Sequence, residues 1–488
     1  MDEDRRNILV EITRMMEEKE LPKPQTLRNI ERARVKDKAQ LVNSVICAVE
    51  TKNISEINKL ILCGALVTCR LLGMKNSQKK QQEPHWKRRI ENKINSLRKD
   101  VSLITRWQND RLNKEREKER LDQMYRIRRK GFKRVAEELK QRITAKSATV
   151  KRYTDRVNQY KQNRLFQSNQ ARFYDELDRP QRVENINPDP AQIKNFWNDI
   201  WGKGISHNQD ATWIKELERE TEPMKQRNIN VNTEKVKGRI GRMGNWKSPG
   251  LDGVQGYWLK SFKSLHNKIA EHLEKCITDG NVPEWMTTGR TVLIMKDKTK
   301  GDINTNYRPI TCLPIMWKLL TGIIADEIYN HLDTNRILPV EQKGCRRRKR
   351  GSKDQLMIDK AIMRNSKRRK TGLKVVWIDY KKAYDLLPHT WIIKTLELYG
   401  IAENIVKLIA ESMKNWQTII TSGREELAKV NIKRGIFQGD SLSPLLFVIG
   451  LIPLSSILQK DPAGYQFKSK AKLNHLLFYG RFEILWKE

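Results

Sequence analysis

A strand that ends on an acid, with a glycine-centred loop some sixty residues behind it, sets the terms for the C-terminal half of this chain. Residues 374–379 alternate so that Val375, Trp377 and Asp379 share one face. Lys382-Ala383-Tyr384-Asp385 follows at once. Arg434-Gly435-Ile436-Phe437-Gln438-Gly439-Asp440-Ser441-Leu442-Ser443-Pro444 comes later, with Ser443 read as a helix N-cap and Pro444 as the first helical residue. That helix continues through Leu445, Leu446, Val448 and Ile449. A carboxylate at the end of a buried strand is a rigid place to hold a divalent ion. Alone, Asp379 could be an ordinary turn-capping residue, and Gln438-Gly439 an ordinary turn.

The rest of the chain divides by pattern. Residues 1–82 read as a helical segment: Ile8, Ile12 and Met15 or Met16 keep helical spacing, and Leu41, Val45 and Val49 repeat it. The Gln78 to Pro84 stretch reads as a polar linker. Residues 83–180 form a basic helical region in which Ile90, Ile94, Leu97, Val101 and Ile104 make a coiled-coil-like seam, continued by Phe132, Val135, Leu139 and Ile143. Arg179-Pro180 to Pro190 marks a boundary. Residues 181–244 are then a helical linker, opened by an amphipathic helix with Ile193, Phe196, Trp197, Ile200 and Trp201. From Asn245 onward strands alternate with helices, so the class changes from all-α to α/β (α+β). Thr291 to Met295 is a strand and Trp317 to Leu332 a helix in this reading.

Charge narrows the partners. The net charge is +38, and residues 87–172 alone carry 27 Lys and Arg against 10 Asp and Glu. A polyanion, most simply nucleic acid, is the expected partner. Arg126-Ile127-Arg128-Arg129-Lys130 and Lys161-Gln162-Asn163-Arg164 lie near Tyr125, Tyr153, Tyr160 and Phe166, a mixture suited to phosphate contact and base stacking. A solvated helix face with core aromatics is the other reading. Leu60 to Met74, taken as the most apolar run, is too short to span a bilayer and holds Arg70, so no membrane is expected. The first residues show no signal-peptide pattern. Six scattered cysteines with no Cys-x-x-Cys pair argue against a zinc finger and fit a reducing, intracellular compartment.

The two motifs resemble those of reverse transcriptases, specifically of the non-LTR (LINE-like) retrotransposon type. Trp246-Lys247-Ser248-Pro249-Gly250-Leu251-Asp252-Gly253-Val254, Thr291-Val292-Leu293-Ile294-Met295-Lys296 and Asn306-Tyr307-Arg308-Pro309-Ile310 resemble finger segments of that family. Pro84-His85-Trp86-Lys87-Arg88-Arg89-Ile90-Glu91 resembles, less specifically, an N-terminal extension of one branch. The resemblance implies fingers over 245–372 and a palm over 373–488, with the following thumb missing. It implies RNA-directed DNA polymerisation with Mg2+ on an RNA template and a DNA primer or target, using deoxynucleoside triphosphates. Asp379 matches the catalytic, metal-binding aspartate. Tyr384 matches the residue that excludes a 2′-hydroxyl, and Asp385 a more structural aspartate. Phe437, Gln438 and Gly439 match the nucleotide-contacting loop. Lys296 and Arg308 match the triphosphate-binding cations, with Lys298 and Lys300 close enough to compete for the first role. Arg346, Arg347, Arg348, Lys349 and Arg350 suit template phosphates, or a nuclear-localisation patch. Cys345 stands where the family usually has an aromatic.

The family's third motif, an aromatic, any residue and two aspartates, should fall after Leu477. Gly480 and Arg481 stand there instead. Phe478 to Glu483 can be encoded TTT TAT GGA CGA TTT GAA, followed by an A; read one base later the string gives Phe-Met-Asp-Asp-Leu-Lys. The expectation is a one-base frame change with an early end, or else divergence in an inactive relative. A noncatalytic RNA- or DNA-binding protein derived from a retrotransposon is the alternative function, and a group II intron maturase relative a third reading.

Overall fold

The computed structural model describes residues 2–24, 27, 32–74, 84–112, 114–168, 170, 173–174, 189–221, 224–301, 303–347, 350–423, 425–467, 472–478 and 481–487. Two compact units emerge: Ser77–Ile186, and Met1–Asn76 together with Asn187–Glu488. Most of the two stretches read as linkers, near 78–84 and 179–190, lies outside the described residues.

The Ser77–Ile186 unit is helical, with His85–Gln108 packed on Phe132–Ser168 and the shorter Glu115–Tyr125 and Ile127–Lys130 beside them. Leu97, Ile104, Leu121, Ile127, Val135 and Leu139 form its core. Ile94 is buried as well, whereas Ile90 and Val101 are half-buried. Asp100 is buried but satisfied: Arg120 donates to it at 3.0 Å and Tyr125 Oη at 2.7 Å. Burial and this acidic neighbour push the Tyr125 phenol up to about 12. Tyr153 meets Trp86 edge-on at 4.8 Å. Tyr125 and Tyr153 are thus committed inside the unit, while Tyr160 remains 66% exposed among its cations.

In the larger unit, helices Asp2–Glu17, Arg32–Ile46 and Ile54–Leu71 bury Ile8, Ile12, Val42, Val45, Ile57, Leu60 and Ile61 in the same core as the α/β half. Among the described residues nine strands follow: β1 (Thr288–Met295), β2 (Tyr307–Cys312), β3 (Leu373–Asp379), β4 (Gln417–Ser422), β5 (Glu425–Asn431), β6 (Tyr465–Gln466), β7 (Lys472–Leu473), β8 (His475–Phe478) and β9 (Arg481–Lys487). They make a four-stranded sheet β2-β1-β4-β5, a three-stranded sheet β3-β9-β8 and a small β6-β7 ladder. Thr291 Oγ1 lies 2.7 Å from both Thr311 Oγ1 and Thr418 Oγ1, so the interior of the first sheet holds a satisfied hydroxyl ladder.

Three readings need correction. The helix expected after Ser443 is Ser443–Lys460, with Leu442 rather than Ser443 at the N-cap, and Pro444 in its first turn. This helix, not the Leu60 to Met74 run, has the length and apolar composition to cross a bilayer; most of it is nevertheless buried in the core of the unit. The third correction concerns β3, which is not buried. It is the outer strand of its sheet, and Val376, Trp377 and Ile378 are exposed, Trp377 by 67%. Only Leu373 and Val375 turn inward, towards Ile362, Tyr465 and Leu485. Alternation gives the two faces of a strand but not which of its neighbours are present.

Candidate active site

The strand β3 delivers Asp379 to an exposed sheet end, where Asp379 is in register with Arg481 of β9. β8 and β9 form a hairpin whose last pair is Phe478 with Arg481. Tyr479 and Gly480 lie outside the described residues. The hairpin is also held from its other side: Gln342 bridges Leu477, and Lys343 N donates to Leu477 O at 2.8 Å.

Behind β3 the chain makes a tight turn. Lys382 has φ +52°, a left-handed conformation unusual for lysine, and it starts the short helix Ala383–Leu386. Asp385 is buried, and both Trp201 Nε1 and Gln438 Nε2 donate to its Oδ1 at 3.3 Å. Desolvation raises the Asp385 carboxyl to about 6, against the pull of Lys382 and of the two hydrogen bonds. Desolvation also lowers the Lys382 ammonium to about 8. Its Nζ lies 4.1 Å from the Phe196 ring centre and 4.8 Å from that of Trp197.

The glycine-centred loop locks onto this turn. Gly435 N donates to Leu387 O at 2.7 Å and Ile436 N to Tyr384 O at 2.8 Å. Gly435 has φ +83°, and a Cβ there would sit 2.6 Å from Asp385 O, so the approach needs glycine. Gly439, at φ +136°, passes the carbonyl of Thr311 too closely for any side chain, and Thr311 N donates to Gln438 O at 2.8 Å. The loop is thereby stitched to β2. Asp440, fully buried, accepts from Thr321 Oγ1 and Ser441 N, each at 2.7 Å.

The residues singled out from sequence fall into three groups. Lys296 and Arg308 are exposed at the ends of β1 and β2, and the Lys296 charge is felt by Lys382 and Asp385. Gln438 and Tyr384 are half-buried, and the Tyr384 ring lies 5.1 Å from that of Phe447. Phe437 is different: it is buried 4.8 Å from Trp416, so its side chain supports the loop from beneath and is closed to a nucleotide. The five-cation run is not one uniform strip either. Arg346 pairs with Asp333 at 3.6 Å, and Arg347 pairs with Asp326 and covers the Tyr329 ring at 4.4 Å. Arg348 and Lys349 lie outside the described residues; Arg350 is exposed. Sequence reasoning did not single out Lys382, Trp201 or Asp440 as site residues. The crowd of aromatics at 196–201 was the one signal available.

These residues do not fit a resident pair of metal ions. Among the described residues no three His, Cys, Asp or Glu side chains gather to hold one. Asp385 is turned into the protein, and the residue in register with Asp379 is an arginine. Hard cations need several oxygen ligands.

A strand-end aspartate, the β8–β9 pair at its side and a glycine loop pinned to β2 make up the site. Residues 295–479 match the family described as reverse transcriptase (RNA-dependent DNA polymerase). The chain thus carries a reverse transcriptase domain over residues 295–479. It is similar to the Pol polyprotein from the type-1 retrotransposable element R2 of Popillia japonica, at 34% identity over 222 residues, 44% of this chain and 30% of that protein. It is also similar to the type-2 element R2DM polyprotein of Drosophila melanogaster (27% identity, 43% of this chain, 19% of that one). The transposon TX1 149 kDa protein of Xenopus laevis is a third relative (25% identity, 46% and 17%). The chain therefore spans less than a third of the length of each of these relatives.

Proposed function

We propose that this chain grips an RNA template and a DNA primer through its reverse transcriptase fingers and palm and its basic helical unit, but synthesises DNA poorly. The observation that carries the reading is the register of Asp379 with Arg481. In this reading Asp379 is the remaining catalytic carboxylate, Lys296 and Arg308 meet the triphosphate, and Tyr384, Gln438 and Gly439 shape the nucleotide site. Mg2+, on which the family depends, would be weakly held. A permanent positive charge in register with Asp379 opposes a cation there.

The frame reading draws support from Glu483, two residues further along β9. Glu483 is buried beside Asp359, a carboxyl against a carboxyl, and each keeps one buried oxygen without a partner. The shifted frame places two aspartates at 480 and 481 and a lysine in place of Glu483. One base would thus supply the two missing acids and a counter-charge for Asp359. Primer extension on an RNA template tests the proposal: no Asp379-dependent product is expected from the chain as it stands. Robust synthesis that Asp379→Ala abolishes would refute it.

A noncatalytic nucleic-acid-binding role is the second reading, favoured by the same arginine. It predicts no gain from restored aspartates.

A further inference from the structure

We propose that Trp201 is a positioning residue for Gln438, acting through the buried carboxylate of Asp385. The proposal rests on the reading of the Gln438-Gly439 loop as a nucleotide contact. Three distant segments meet at one oxygen: Trp201 Nε1, from 184 residues away, and Gln438 Nε2, from 53 away, both donate to Asp385 Oδ1 at 3.3 Å. Because Asp385 is only 4% exposed, water cannot replace a lost donor. With one Nε2 hydrogen committed, the Gln438 amide is held in one orientation, and Oε1 and the second Nε2 hydrogen are left for other partners.

The helix Pro190–Trp201 that supplies the indole is itself clamped. Asp189 caps it by accepting from Ala191 N at 3.0 Å. Its last turn accepts from the loop that it supports: Lys433 N donates to Trp201 O at 2.7 Å, and the Arg434 guanidinium donates to Ile200 O and, at 3.0 Å, to Asp199 O. Trp197 stacks on Trp201 with ring centres 4.3 Å apart, which stops the indole from swinging away. Phe196 and Trp197 hold the Lys382 ammonium on the same turn as Asp385. Loss of the indole N–H would leave Asp385 to Lys382 and Gln438 alone, and the amide would be free to turn.

A packing role needs only a large ring, whereas this proposal needs the N–H. Trp201→Phe keeps a ring and removes the donor; Gln438→Met breaks the same link from the loop side, where no core is disturbed. In both variants amide hydrogen exchange across residues 436–442 should rise roughly three- to tenfold, the scale of one typical intramolecular hydrogen bond, while exchange in helix Ile54–Leu71 stays unchanged. Asp385→Asn, which keeps an acceptor oxygen, should preserve the protection that Asp385→Leu loses. A second readout is the gain in affinity for a DNA primer on an RNA template when the complementary deoxynucleotide is added. Trp201→Phe should reduce that gain, and should add nothing in a Gln438→Ala background. If the unaltered protein shows no such gain, the nucleotide reading of the loop fails, and the exchange data still decide the positioning claim. Unchanged exchange at 436–442 in Trp201→Phe, or an equal rise throughout the chain, overturns it.

Discussion

Asp379 and Arg481 are a register pair across β3 and β9, at the end of the β8–β9 ladder. Backbone pairing fixes this relationship, so it holds whatever residue occupies position 481. A carboxylate at position 481 would therefore stand in register with Asp379.

Restoring carboxylates should therefore create an ion site without remodelling the fold. Gly480→Asp combined with Arg481→Asp should give saturable Mn2+ binding by calorimetry, where the unaltered chain gives none in the same range. Asp379→Ala in that background should remove it. Binding that survives Asp379→Ala would show that the register pair is not the site.

Nucleic-acid affinity should depend steeply on salt. If the basic helical unit and the exposed Lys296, Arg308 and Arg350 meet about 6–10 phosphates, affinity should fall roughly 10³- to 10⁵-fold between about 50 and 200 mM salt. Fluorescence anisotropy with unrelated duplexes should give similar slopes. A flat salt response would rule out phosphate contact as the driving force.

The acid pair at Glu483 makes stability depend on pH. Burial first, then the hydrogen bond and charge of Asp359, raise the Glu483 carboxyl from 4.5 to about 8. The folded chain thus keeps a proton that the unfolded chain releases. Stability should fall as pH rises from about 4.5 towards about 8, and be fully present only below that window. Glu483→Gln should flatten the melting profile over this range, and Glu483→Lys should raise the melting temperature at neutral pH by pairing with Asp359. A lower melting temperature for Glu483→Lys would remove the structural support for the frame reading.

Gly435→Ala should be severe for so small a change. It places a Cβ 2.6 Å from Asp385 O at φ +83°, a conformation that costs about 1–3 kcal/mol even without a clash. Urea unfolding should show a loss of at least that size, whereas Gly423→Ala, at φ +59° with open space around it, should show only the backbone part.

Local patterns carried the legible part of this structure. Glycine at 435 and 439, the helix after Leu442 and the aromatic helix at 190–201 each follow from residues near one another in sequence. Less could be read where a role depends on distant partners. Phe437 sits in the expected loop, yet Trp416 turns it into core. Arg346 and Arg347 belong to a basic run, but Asp333 and Asp326 draw them in. Trp201 could be assigned to an amphipathic face, but not to an oxygen 184 residues away. The alternation of Val375, Trp377 and Asp379 gave a shared face without revealing that β3 would be an outer strand.

That open flank has a consequence for the behaviour of the protein in solution. No strand runs along the second side of β3 among the described residues, and Val376, Trp377 and Ile378 are exposed there. A bare, apolar strand margin is a template for its own kind. Sheet-to-sheet association between copies would grow with concentration and, unlike phosphate binding, would not be dispersed by added salt. Excess nucleic acid and high salt would then act on different faces of the same molecule, and a preparation that precipitates in both would be reporting on β3.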